Sequence, residues 1–179
     1  MKLSILTPTY NRARNLPKLY ESIKKNKIDA LELEWLIMDD GSQDNTKEVV
    51  DAFQAENVVE IRYFYQENQG KMVALNNLVE KAEGDLIVEC DSDDFFYKNA
   101  FKVISEKAVL EEDVYAYAFL KYDQNECNIG RLLPEGKTTM FDLYFKQGED
   151  GEKALVFNAK IRKQFRHELE ERGEIYNRS

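Results

Sequence analysis

The chain has 179 residues, enough for one domain with a real core, and its 43% hydrophobic content excludes a disordered tail. A net charge of −9 excludes the basic stripe that a nucleic acid or an anionic membrane surface requires. One histidine and two cysteines without CxxC spacing exclude a zinc site, and no apolar run is long enough for a membrane span.

Residues 2–7 form a short apolar run ended by Pro8, which predicts a buried first strand. The apolar part is too short for a signal peptide, and the thiols Cys90 and Cys127 are expected to stay reduced, as in a cytoplasmic protein. Leu16, Leu19, Tyr20 and Ile23 recur at helical spacing and predict a helix over about 12–25, with Asn11 as its N-cap. Residues 35–38 predict a second strand, stopped by Asp39, Asp40 and Gly41. Asp44 or Asn45 then caps a helix carrying Val49, Val50 and Phe53. Residues 61–65 alternate and predict a third strand. Val73, Leu75, Leu78, Val79 and Ala82 predict a third helix, closed by Gly84, and residues 85–90 a fourth strand.

The second half predicts strands over 114–122, 129–133 and 154–157, with a turn at Pro134, Glu135 and Gly136. A short helix is expected over 139–146, a loop over 147–152 and a charged helix over 160–172.

Alternation of strand and helix predicts an α/β fold with a mainly parallel sheet flanked by helices. Ligands of such sheets bind beyond the carboxyl ends of the strands. A polar cluster follows each of the first four strands: 7–11, 39–42, 66–71 and 91–94. Each alone reads as an ordinary loop, whereas four on one rim predict a shared polar ligand.

The fourth cluster lies in "VECDSDDFF", where Glu89, Asp91, Asp93 and Asp94 run into Phe95 and Phe96. Close carboxylates repel, and a hard divalent cation with oxygen ligands relieves them. A solvated acidic turn is the alternative. The two phenylalanines are expected to anchor the loop in the core. Lys71 at a helix start favours an anion, and beside a cation site this suggests a diphosphate. Asp40 offers an acceptor to a nucleobase N–H. Glycine-rich phosphate loops of the GxGxxG and GxxxxGK type are absent. Cys90 reads as a buried thiol, His167 as a surface residue, and Tyr115, Tyr117, Phe119 and Tyr122 as packing.

"LTPTYNR", "IMDDGSQDNT", "NQGKMVALNN" and "AEGDLIVECDSDD" occur in this order. Together they resemble the family 2 glycosyltransferases, which have the GT-A fold, a Rossmann-related α/β architecture. The resemblance covers roughly the first 100 residues strongly. It implies a single domain over 1–179, with a nucleotide-sugar half over 1–100 and an acceptor-side half over 101–179. Thr7, Pro8 and Tyr10 would line the base pocket, and Asp40 would hold a uracil-like edge. Lys71 would lie near the base or phosphates. Asp91 and Asp93 match the DxD pair and Asp94 the following acid. These three would hold the ribose and Mn2+ or Mg2+. Asn76 and Asn77 would support the helix.

The implied reaction is inverting transfer from a nucleoside-diphosphate sugar, of the UDP-sugar type, to an acceptor hydroxyl on a glycan or lipid-linked molecule, in surface glycan synthesis. An acid deprotonates the acceptor; Glu149, Asp150, Glu171 and Glu174 are the candidates. Family members generally continue beyond the point matching Ser179. A short catalytic core, a truncated piece and a binding module that keeps only the donor site all fit that departure. A phosphatase with Asp-x-Asp after its first strand would follow the pair with Thr or Val, but Asp94 and Phe95 follow here.

Overall fold

The computed structural model describes residues 1–123, 125, 127–129, 136–139, 142 and 153–165. The first half alternates as its apolar runs predict: β1 (Lys2–Thr9), α1 (Leu16–Asn26), β2 (Glu32–Asp39), α2 (Thr46–Glu56), β3 (Glu60–Tyr65), α3 (Lys71–Lys81) and β4 (Leu86–Glu89). There follow α4 (Ala100–Lys107), β5 (Ala116–Tyr122), β6 (Asn128–Ile129), β7 (Lys153–Asn158) and α5 (Ala159–Arg162).

Among the described residues the sheet has seven strands in the order β3-β2-β1-β4-β7-β5-β6. The first four in this order pair in parallel, while β7 runs antiparallel to both β4 and β5. Five strands therefore point one way, and the sheet is mostly parallel. After β3 the chain leaps across β2 and β1 to add β4 on the far side. The crevice between β1 and β4 is thus a topological switch point, where open α/β sheets bind ligands.

Both faces of the parallel part are covered, which is why its strands read as near-continuous apolar runs. Leu3, Ile5, Trp35, Ile37, Leu86 and Val88 face α1, α2 and α4, and Tyr20, Trp35 and Phe53 stack there. Leu6, Leu36, Met38 and Ile87 face α3.

Several expectations shift. Asn11 does not cap α1, because Pro17 sets the first turn and the helix starts at Leu16. Residue 84 does not close α3, which ends at Lys81. A Cβ there would stand 2.6 Å from Ser4 Oγ and 2.8 Å from Lys2 O, so glycine is required for close approach to β1. Helix α4 was not expected; it buries only Phe101 and Ile104. Of the charged helix predicted over 160–172, the described part holds the end of the short α5 and turn residues 163–164, and residues 166–172 lie outside the described residues. Most of the predicted strand over 129–133 and helix over 139–146 lies outside the described residues.

At the end of the sheet away from the rim, Glu34 is fully buried. It accepts from Ser4 Oγ at 2.5 Å and from the Glu83 N–H at 2.6 Å, and pairs with Arg62 at 3.2 Å and Lys2 at 3.4 Å. Burial alone would raise its pKa. The Ser4 and Glu83 hydrogen bonds, the Lys2 charge and the Arg62 hydrogen bond outweigh burial and lower it.

Candidate functional site

The loops after β1, β2, β3 and β4 meet at the carboxyl ends of the strands. Their junctions are side-chain to backbone bonds between segments far apart in sequence. Asn11 has φ +52, and its N–H donates to Ser42 Oγ at 2.8 Å. Its Oδ1 accepts from the Gln43 N–H at 2.8 Å. Asp44 accepts from the Ala13 N–H at 3.1 Å and from Thr46 at the start of α2. The first two rim loops are stapled together in this way.

Asp39 and Asp40 serve different partners. Asp39 is buried and accepts from the Ser42 N–H at 2.7 Å and from Tyr63 Oη at 2.6 Å. Asp40 turns to the loop after β3. Its Oδ1 accepts from Gln66 Nε2 at 2.7 Å and the Gln69 N–H at 2.9 Å, and its Oδ2 from the Gly70 N–H at 2.8 Å. Asp40 therefore organises the entry to α3. A carboxylate has about four acceptor positions, so one remains on Oδ2.

On β1, Thr7 is fully buried, and its Oγ1 accepts from Trp35 Nε1 at 2.9 Å. Its side chain thus ties the end of β1 to the core beneath the rim. Pro8 is buried and Tyr10 is 45% exposed at the mouth of the crevice. Thr9 Oγ1 is buried without a hydrogen-bond partner among the described residues.

The acidic loop answers the repulsion within it with three cations from three elements. Lys71, at the start of α3, places Nζ 2.6 Å from Asp91 Oδ2. Arg12, in the loop after β1, lies 4.0 Å from Asp93, and Lys121 of β5 lies 3.5 Å from Asp94. Glu89 is not part of this set. Arg162 of α5, itself buried, donates to Glu89 from Nε at 3.1 Å and Nη2 at 2.9 Å.

Phe96 packs on the core against Phe101, with ring centroids 4.8 Å apart, and its N–H donates to Ser22 Oγ at 3.0 Å. Phe95 instead lies under the Lys18 ammonium at 4.0 Å, so Phe96 alone is the core anchor of the pair. Cys90 is a buried free thiol, and burial and then the Asp94 and Asp91 charges push its pKa well up, which makes it inert as a nucleophile.

Among the described residues no three His, Cys, Asp or Glu side chains converge as a metal cage. Asp91 and Asp93, the residues that would hold a cation, are paired with Lys71 and Arg12. Mg2+ is commonly held through one or two carboxylates together with substrate phosphates, a donor set these two would supply. Glu149, Asp150, Glu171 and Glu174 lie outside the described residues. The sequence places Gln66 in the rim cluster 66–71 without a role, and Arg12 and Lys121 are signalled only by their charge.

The model of glycosyl transferase family 2 matches residues 4–168. The chain belongs to glycosyltransferase family 2. An uncharacterized glycosyltransferase of Mycoplasma genitalium is 37% identical over 131 residues, 71% of this chain and 42% of that protein. The GalNAc(5)-diNAcBac-PP-undecaprenol beta-1,3-glucosyltransferase of Campylobacter jejuni is 35% identical, over 66% of this chain and 37% of that protein. This family 2 chain thus spans about two fifths of the length of these relatives.

Staphylococcus aureus TarS, solved as residues 1–349 with UDP, superposes with a TM-score of 0.67 at 22% identity over 92% of this chain and 48% of that one. The likeness at that identity places the family 2 chain in the GT-A fold. No helix among the described residues is long and apolar enough to cross a membrane.

Proposed function

We propose that this family 2 chain binds a nucleoside-diphosphate sugar, of the UDP-sugar type, and takes part in inverting transfer of the sugar to an acceptor hydroxyl. The observation that carries the reading is the meeting of Lys71 with Asp91 at 2.6 Å, across the β1–β4 crevice. A cation for phosphates and carboxylates for a divalent metal stand side by side where such sheets hold ligands.

Pro8 and Tyr10 line the base pocket, and Thr7 supports it from below through Trp35. The remaining acceptor position of Asp40 takes a ring N–H of the base. Lys71 moves from Asp91 to the diphosphate and leaves Asp91 and Asp93, followed by Asp94, to Mn2+ or Mg2+ and the ribose. The cation, when bound, supplies Lewis-acid stabilisation of the leaving diphosphate. An acid of the acceptor-side half, among Glu149, Asp150, Glu171 and Glu174, takes the acceptor proton. The names of the Campylobacter relative and of TarS, a poly(ribitol-phosphate) beta-N-acetylglucosaminyltransferase, support a lipid-linked or surface-glycan acceptor.

Incubation of the protein with UDP-sugars, Mn2+ and a lipid-linked or polyol-phosphate acceptor tests transfer. UDP release that depends on acceptor supports it. Tight UDP binding without release would assign a donor-binding module instead.

A further inference from the structure

Gln66 is held from three sides. Its backbone N–H donates to Asp39 O at 2.9 Å, its Nε2 donates to Asp40 Oδ1 at 2.7 Å, and its Oε1 accepts from Asn77 Nδ2 at 2.8 Å. The two ends of a primary amide are chemically unlike, one accepting and the other donating. The Asn77 donor claims the oxygen end, so the NH2 end faces the carboxylate. A flipped amide would set oxygen against oxygen at Asp40.

We infer that Asn77 and Gln66 are positioning residues that orient the Asp40 carboxylate and thereby set which nucleobase is accepted. This rests on the donor-site reading above. The backbone N–H groups of Gln69 and Gly70 each take one oxygen of the carboxylate, and Gln66 adds the second donor on Oδ1, which fills that oxygen and leaves the remaining acceptor position on Oδ2. The free position on Oδ2 then has one direction. A ring N–H, as in uracil or guanine, donates to it. Cytosine and adenine present a ring acceptor at that place and are refused, because an acceptor facing a carboxylate leaves both without a partner.

Both residues are half-buried and line an open groove of about 520 Å3 beside β3 with Met38, Phe64, Tyr65 and Lys81. Substitution there seals no void into the core, so the variants are expected to fold.

The test titrates UDP, CDP and pyrophosphate, each with Mn2+, into the full chain and its Gln66→Leu, Asn77→Ala and Asn77→Asp variants. Gln66→Leu lowers the UDP-to-CDP affinity ratio by about tenfold, the scale of one hydrogen bond to a charged group, and leaves pyrophosphate affinity at its starting value. Asn77→Asp lowers the ratio more than Asn77→Ala, because an acceptor at 77 draws the NH2 end of Gln66 away from Asp40. Both Asn77 effects vanish in the Gln66→Leu background, which a purely structural role of Asn77 would not produce. UDP binding with the same base ratio in every variant would overturn the relay alone. Failure of the unaltered chain to bind any of the three ligands would overturn the donor-site reading, and the relay with it.

Discussion

Lys71 Nζ stands 2.6 Å from Asp91 Oδ2, joining the first residue of α3 to the loop after β4. Both side chains are about half exposed, 55% and 44%. An exposed pair of this kind contributes at most about 1 kcal/mol to stability. Lys71→Ala is therefore expected to leave Tm nearly unchanged and to weaken UDP binding in Mn2+ by about tenfold, the scale of a charge-assisted hydrogen bond. Paired melting and titration separate the two effects. A large fall in Tm with unchanged affinity would make the pair structural.

Asp93 is exposed and 4.0 Å from Arg12, so its removal breaks nothing in the core. Asp93→Ala should reduce UDP affinity in Mn2+ to the level measured with chelator, and circular dichroism should match the unaltered chain. Full affinity in Mn2+ would remove Asp93 from the metal set.

Asp40 carries two duties, and its variant should show both. Asp40→Ala leaves the N–H groups of Gln69 and Gly70 without their acceptor, a cost of about 1–3 kcal/mol each if water does not replace it. It also removes the base acceptor. The expected result is a lower Tm together with a loss of UDP affinity larger than the loss for pyrophosphate. Equal losses for the two ligands would confine Asp40 to loop architecture.

Glu34 is predicted to contribute to acid sensitivity from the other end of the sheet. Its folded pKa is depressed below the unfolded value of about 4.3, so its contribution is complete above that pH and is lost as pH falls through the folded pKa. Glu34→Ala strips the acceptor from Ser4 Oγ and the Glu83 N–H, at about 1–3 kcal/mol each in urea unfolding, while Lys2 keeps Glu60 and Arg62 keeps Glu83. The stability of the variant should also vary less with pH below about 4.3. Parallel pH profiles for variant and unaltered chain would place the acid sensitivity elsewhere.

The first four strands and three helices were legible because buried runs such as Leu3 to Leu6 and Trp35 to Met38 stop at polar rim residues. The rim clusters were legible for the same reason. Helix α4 was passed over, although Phe101, Ile104 and Ala108 recur at helical spacing along its buried face. Glu34 sits in "ELEWL", which reads as a strand with a solvent face. Only the distant Lys2, Arg62 and Gly84 make that position a buried charge site. Glu89 looked like one of four clustered acids, and Arg162, 73 residues later, withdraws it from the cluster. Asp40 was legible as an acceptor, but not the donors from Gln66, Gln69 and Gly70 that orient it. A sequence shows which residues can accept or donate; it does not show which donors the fold brings to them.

Calorimetric titration of UDP into the chain, once with Mn2+ and once with chelator, tests the donor site most directly. A single UDP site is expected, strengthened sharply by Mn2+ and discriminating UDP from CDP. Equal heats with metal and with chelator, or none in either, would contradict it and leave the acidic loop as a turn neutralised by Lys71, Arg12 and Lys121.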